Sequence, residues 1–232
     1  MSGGVHILNY HHVHDGPDGA FRITPEKFRS QMEALLAQWY VPITLETLLD
    51  ARRGGPLPAH AILVSFDDGY QDFVLHAWPV LRALHVPATL FVIADAIGGV
   101  NDWDDLPGPP HRHLSAEQLR TLVREGCSFG SHSRSHPMLT RVDAARLHEE
   151  VAGSRAVLES LLEVPVRAFA YPGGHRDERV KNVVAAHYEM AFATDVPAAG
   201  DPYDAPRFDP SFCRNATALL AHLHATPAFT LT

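Results

Sequence analysis

Six short apolar runs, rich in β-branched and aromatic residues, alternate along this chain with longer segments of helical apolar spacing. The runs at 5–10, 61–66, 88–93, 127–131, 166–171 and 190–194 read as strands. Ala61-Ile62-Leu63-Val64-Ser65-Phe66 is apolar enough for a strand buried on both faces. Helices are expected from Thr24-Pro25-Glu26 onward, over 72–85, from Ser115 to Gly126, and over 143–162, 178–187 and 215–225. Thr24 before Pro25 and Glu26 is a helix-start signature, and Asn215 stands where a cap would open the last helix. Repeated strand-then-helix order favours a parallel sheet, open or closed on itself. The Gly- and Pro-rich stretch 98–113 reads as a surface loop, because the alternation resumes after it.

In parallel α/β folds all C-terminal strand ends lie on one face, and four clusters would converge there. They are Tyr10-His11-His12, Asp67-Asp68-Gly69, the segment from Ser131 to Pro137, and Tyr171-Pro172-Gly173-Gly174. Paired carboxylates at a strand end can divide labour, one on a metal and its neighbour free to take a proton, although Asp-Asp-Gly is also good turn chemistry. His132 and His136, four apart and followed by Pro137, can reach one ion from a turn; in a chain with 16 histidines they can also be a chance pair. One carboxylate with two imidazoles makes a three-ligand face that leaves room for water and substrate, the pattern of a catalytic metal rather than a structural one. Such a metal polarises a carbonyl and lowers the pKa of water, and Asp67 would sit near that water as general base.

Composition narrows the field. The 232 residues, 46% hydrophobic and 20% charged, fit a single domain over 1–232 with a core that needs no staples. A net charge of −8 with no basic run excludes an ordinary nucleic-acid binder. Cys127 and Cys213 are too few for a disulfide framework and lack zinc-knuckle spacing. The segment 86–100, the most apolar, is broken by Pro87 and Asp95 and falls short of the ~20 residues that span a bilayer. Residues 1–6 carry no signal-peptide pattern. The expectation is a soluble, cytoplasmic protein as given, with secretion left open if a leader was trimmed; the oligomeric state is undetermined.

Three motifs carry a family resemblance. Ser65-Phe66-Asp67-Asp68-Gly69, His132-Ser133-Arg134-Ser135-His136-Pro137 and the segment from Arg167 through Tyr171-Pro172-Gly173-Gly174 stand in the order found in polysaccharide deacetylases with a NodB-homology domain. The chain is similar to that family over roughly residues 5 to 200. The resemblance implies a distorted (β/α) barrel with fewer than eight strands. It also implies metal-dependent hydrolysis of N-acetyl groups on an N-acetylated amino-sugar polymer or oligosaccharide, with one divalent ion, Zn²⁺ first and Co²⁺, Mn²⁺ or Ni²⁺ as alternatives. By motif position Asp67 is the general base, Asp68, His132 and His136 are the ligands, and the backbone N–H of Tyr171 helps hold the oxyanion. Arg167 is expected to orient the base, unless it forms a surface ion pair.

The opening Leu8-Asn9-Tyr10-His11-His12-Val13 looks like the poly-N-acetylglucosamine deacetylase branch. Trp103 could stack on a sugar face or anchor its loop, and Pro172 and Arg207 are further candidate substrate contacts. Family members commonly end in a Leu-x-His motif that supplies the general acid. Here Leu220-Ala221-His222-Leu223-His224 falls in a helical pattern, so His11 is the expected acid, with His12, His222 and His224 as alternatives. Two competing accounts are hydrolysis of small cyclic amides on the same scaffold and a catalytically inactive glycan-binding module.

Overall fold

A computed structural model of the chain describes residues 4–101, 111–194 and 200–231. In chain order the strands are β1 (Val5–Tyr10), β2 (His12–Val13), β3 (Arg22–Ile23), β4 (Val41–Pro42), β5 (Ala61–Phe66), β6 (Thr89–Val92), β7 (Ser128–Ser131), β8 (Ala168–Ala170), β9 (Met190–Ala193) and β10 (Ala205–Pro206). The helices are α1 (Pro25–Ala37), α2 (Leu45–Arg52), α3 (Trp78–Ala83), α4 (Ala116–Arg124), α5 (Ala144–His148), α6 (Ser154–Leu162), α7 (Glu178–Ala185) and α8 (Ala216–Ala225). Wide five-residue turns at Phe73–Ala77 and Glu149–Gly153 lead into α3 and α6.

The main sheet runs β1-β5-β6-β7-β8-β9-β10, every pair parallel, and β4 adds to the start of β5. Beyond β10 the chain crosses to the first strand: Asn9 N–H donates to Phe208 O at 2.8 Å and Phe208 N–H donates to Ile7 O at 2.9 Å. That contact brings the seven-strand path round to its start, so the sheet is nearly closed into a barrel with fewer strands than eight, as the resemblance implied.

Strand alternation then sorts the side chains. Ile62, Val64, Phe66, Leu90, Val92, Phe129, Phe169, Ala191 and Ala193 face outward into the layer shared with the helices. Val5, Ile7, Ala61, Leu63, Phe91, Ala168, Ala170, Met190, Phe192 and Ala205 fill the interior, joined by Ile43, Leu45, Leu48, Leu49 and Phe229. The last five come from the β4–α2 segment and the C-terminal tail, and they close the end where the strands begin. Gly130 is required within β7: a Cβ there would stand 2.3 Å from the Phe91 ring. Helix starts follow local chemistry. Thr24 accepts from Lys27 N–H, Asn215 accepts from Ala218 N–H, and Ser115 with Gln118 forms a reciprocal cap on α4. No described helix is long and apolar enough to cross a membrane.

Candidate metal centre and active site

The alternation that fills the barrel also builds its mouth. Continuing the inward positions past the apolar floor leads from Ile7 to Asn9 and His11, from Leu63 to Ser65 and Asp67, from Gly130 to His132, and from Ala205 to Arg207. Ladder bonds extend beyond the strands to fix these residues. Asp67 N–H donates to Tyr10 O at 2.9 Å, and His132 N–H donates to Val92 O at 2.9 Å. Three non-glycine residues in the turns that carry Asp68, His132 and His136 occupy left-handed backbone: Asp68 (φ 68°), Ser133 (φ 66°) and His136 (φ 60°). Each such residue costs on the order of 1–3 kcal/mol and persists where its surroundings over-determine it. Glu150, fully buried, supplies part of that restraint. One of its carboxylate oxygens accepts from the N–H groups of Arg134 (2.9 Å) and Ser135 (2.8 Å), and the other accepts from Ser135 Oγ at 2.6 Å. His136 N–H closes the turn onto Ser133 Oγ at 2.9 Å.

Asp68, His132 and His136 bring one donor atom each within 4.8 Å of one another. Asp68 Oδ1 lies 3.4 Å from His132 Nε2 and 3.7 Å from His136 Nε2. His132 Nδ1 is 2.9 Å from Ala170 O, and a carbonyl only accepts, so the proton sits on Nδ1 and the Nε2 lone pair faces Asp68. Burial and the neighbouring His132 bring the His136 pKa down to about 4, which keeps that ring neutral and able to ligate at pH 7. Burial alone would raise the Asp68 carboxyl, but His132, His136 and His11 pull it below its ordinary value. Asp68 Oδ1 is nevertheless buried with no hydrogen-bond partner. An orphaned carboxylate oxygen facing two imidazole nitrogens is expensive without a cation and suited to one. The donor set therefore fits a divalent metal.

Asp67, beside it, is held differently. Arg207 Nη1 donates to Asp67 Oδ1 at 2.7 Å and Nη2 to Oδ2 at 2.6 Å, while Asn9 Nδ2 donates to Oδ2 at 3.0 Å. Asn9 Oδ1 in turn accepts from Arg207 Nη1 at 3.0 Å. Burial acts to raise the Asp67 carboxyl, yet the Arg207 charge, then His132 and His11, hold it well below the usual carboxylate range. Oδ2 stands 3.9 Å from His132 Nε2 and 4.0 Å from His11 Nε2, between the ligand cluster and the first-strand histidine. His11 Nδ1 faces Asp209 Oδ2 at 3.4 Å. Burial opposes charge on that ring, but Asp209, Asp68 and Asp67 outweigh it and raise the His11 pKa.

Arg207 and Asp67 are both buried, so removing one partner strands the other. Arg207→Met is expected to lower the unfolding free energy by about 3–5 kcal/mol at pH 7 in denaturant titrations. A depressed carboxyl stabilises the fold fully above its unfolded-state pKa of about 3.9 and less as pH falls through the folded value. The gap between wild type and variant should therefore narrow in acid.

The structure redistributes several expected roles. Arg167 precedes β8, at the end of the barrel opposite the mouth, and its guanidinium pairs with Glu46 and Glu189. The anticipated orientation of Asp67 is made by Arg207 instead, because position 207 is inward and past its strand while 167 is outward and before it. Tyr171 is outward too: its ring is buried against Phe169 and its hydroxyl donates to Tyr203 O at 2.9 Å. Its N–H donates to Phe192 O at 3.0 Å, so the expected oxyanion donor is engaged in the sheet. Pro172 is buried in the turn Pro172–Gly174. His12 faces outward, stacked on Tyr70 with Nδ1 2.7 Å from Asp72, and does not join His11. His222 stacks on the outward Phe208 at 3.6 Å, and His224 is exposed on the same helix. Trp103 lies outside the described residues. Asn9, Asp209 and Glu150 join the site from outside the three motifs. The parity of β1 already pointed to Asn9, two residues before His11.

Comparisons with known proteins identify the family and the fold. The sequence profile of the polysaccharide deacetylase family matches residues 54–191. A putative polysaccharide deacetylase of Bacillus subtilis is 28% identical over 83% of this chain and 65% of its own length. The poly-β-1,6-N-acetyl-D-glucosamine N-deacetylase of Staphylococcus epidermidis is 26% identical over 89% of this chain and 70% of its own length. The chain thus spans about two-thirds of the length of these relatives. Among solved structures, a Streptococcus pyogenes deacetylase in complex with acetate superposes with a TM-score of 0.82 at 22% identity, covering 95% of this chain and 98% of that one. IcaB from Ammonifex degensii gives a TM-score of 0.74 at 26% identity, covering 90% and 92%.

Proposed function

The chain belongs to the polysaccharide deacetylase family, and from that membership we propose that it is a metal-dependent hydrolase releasing acetate from an N-acetylated amino-sugar polymer or oligosaccharide. In this reading residues 1–232 act as one catalytic domain. The observation that carries the proposal is the pair of adjacent carboxylates held in opposite ways. Asp68 has an orphaned oxygen facing two imidazoles, and Asp67 is ionised between that cluster and His11. The relatives named for poly-β-1,6-N-acetyl-D-glucosamine support an N-acetylglucosamine chain as substrate class. Two imidazoles and one carboxylate support Zn²⁺ as the ion, with Co²⁺, Mn²⁺ and Ni²⁺ accommodated by the same donors.

Asp68, His132 and His136 would hold the ion, which when bound supplies Lewis-acid polarisation of the acetamide carbonyl and acidifies water. The remaining work belongs to side chains of the chain itself. Asp67, fixed by Arg207 and Asn9, accepts a proton from the attacking water through Oδ2. Collapse of the tetrahedral intermediate breaks the C–N bond, and His11 donates a proton from Nε2 to the departing amine. Acetate and a free amino sugar result. Asp209 steadies the His11 ring through Nδ1 and favours its charged form.

The test is acetate release from N-acetylglucosamine oligomers across pH with added divalent metals. If His11 is the acid, activity falls on the alkaline side as it deprotonates. Asp209→Asn removes a charge that raises the His11 pKa, so that limb should move to lower pH while metal content stays constant. An unmoved alkaline limb contradicts the assignment of His11, and no acetate from any oligomer contradicts the substrate class.

A further inference from the structure

Two phenylalanines at the barrel mouth have no packing role that matches their size. Phe212 is 64% exposed and Phe21 is 43% exposed, and their rings meet edge to face at 5.7 Å. Isolated exposed aromatics are ordinary, but this pair is contiguous and one of its rings, Phe21, meets His11. Phe21 packs edge-on to His11, with ring centroids 4.7 Å apart.

Backbone chemistry fixes the pair rather than leaving it to chance. Phe21 lies in the left-handed region at φ 62°, rare for a bulky residue. Its N–H donates to Ser211 Oγ at 3.0 Å and its carbonyl accepts from His12 N–H at 3.0 Å. Phe212 ends the turn Pro210–Phe212, which opens on Asp209, the residue facing His11. Gln31 Nε2 anchors that turn from below by donating to Pro210 O at 3.1 Å. One short segment therefore carries both the partner of His11 and the exposed ring of Phe212.

The direction of the reaction says what should lie there. His11 delivers its proton to the nitrogen that leaves, and that nitrogen stays attached to the sugar. The sugar side of the scissile amide is thus the His11 side, which is the side lined by Phe21 and then Phe212. We propose that Phe21 and Phe212 form a stacking platform for the glycan, Phe21 under the reacting pyranose and Phe212 under the neighbouring residue of the chain. The inference rests on the deacetylase reading and extends it to how chain length is sensed. An uncharged aromatic face suits the axial C–H face of a pyranose, and it carries no group that would favour an anion.

The experiment measures kcat and KM for acetate release from N-acetylglucosamine and its β-1,6-linked oligomers up to the pentamer. Wild type should gain efficiency with length. Phe212→Ala should lose at least tenfold in kcat/KM on the pentamer, mostly in KM, and much less on the single sugar, so the length dependence flattens. Phe212→Trp should restore it. Phe21→Gly, which suits the left-handed backbone and keeps the fold, should lose efficiency on every length. Trp39→Ala is the control: Trp39 is 83% exposed beside β4, at the opposite end of the barrel, and its loss should leave all values within twofold. Pentamer kinetics of Phe212→Ala and Phe21→Gly equal to those of wild type would overturn the platform while leaving the deacetylase reading intact. A wild type that releases acetate from no oligomer would defeat the deacetylase reading itself.

Discussion

Asp67→Asn is expected to reduce acetate release by about 10²–10⁴-fold while the protein keeps its metal, because general acid–base groups contribute on that scale. The amide is nearly isosteric but cannot accept a proton at neutral pH. Asp67 lies next to the donor cluster without belonging to it, so the three ligand atoms remain. The variant should also melt earlier, since Arg207 is left as a buried cation facing a neutral amide. Turnover and metal content measured on one preparation separate the two effects. Wild-type acetate release by Asp67→Asn contradicts the role given to this carboxylate.

His132→Ala should fail for the opposite reason. The His132 ring is positioned by its bond to Ala170 O, and its Nε2 is the donor nearest Asp68. Removing it leaves one imidazole and one carboxylate. Loss of an outer partner of a metal ligand typically costs 10–100-fold in metal affinity, so loss of the ligand itself should cost at least about 100-fold. Calorimetric titration of the metal-free variant reads this directly. Activity should follow occupancy, returning only in part at high metal concentration. Unchanged metal affinity in His132→Ala would remove this histidine from the centre.

Much of the architecture was legible in the sequence because it rests on periodicity. The buried run 61–66 matched β5, and the runs ending in Tyr10 and Ser131 matched β1 and β7 to within a residue. Helical spacing over 143–162 matched α5 and α6, though not the wide turn between them. Elements too short to show a period were not legible. β4 and β10 have two residues each, and eight-residue α2 sits between Pro42 and the Gly54-Gly55 pair. These elements matter: β4 and α2 bring the residues that close the floor of the barrel, and β10 brings Arg207 to its mouth.

The same limit explains the exchange of arginines. Arg167 stood inside a full motif, whereas Asp204-Ala205-Pro206-Arg207-Phe208 matches the family's fourth motif only in part and reads equally as an exposed loop. Only the observed register makes 207 inward and 167 outward. The choice between His11 and His12 also turned on one residue of register, and the alternation of β1 into the barrel decides which ring faces Asp67. Glu150 lies 15 residues from the Ser135 turn it restrains and Asp209 near the other end of the chain from His11, so no local pattern could have singled them out.

The proposed chemistry requires Asp68, His132 and His136 to share one divalent ion with Asp67 beside it. Anomalous diffraction at the zinc edge from crystals of the zinc-loaded protein tests it most directly. A single strong peak is expected, about 2.0–2.2 Å from Nε2 of both histidines and an Asp68 carboxylate oxygen. A peak at other side chains, or no bound zinc at saturating concentration, would contradict it.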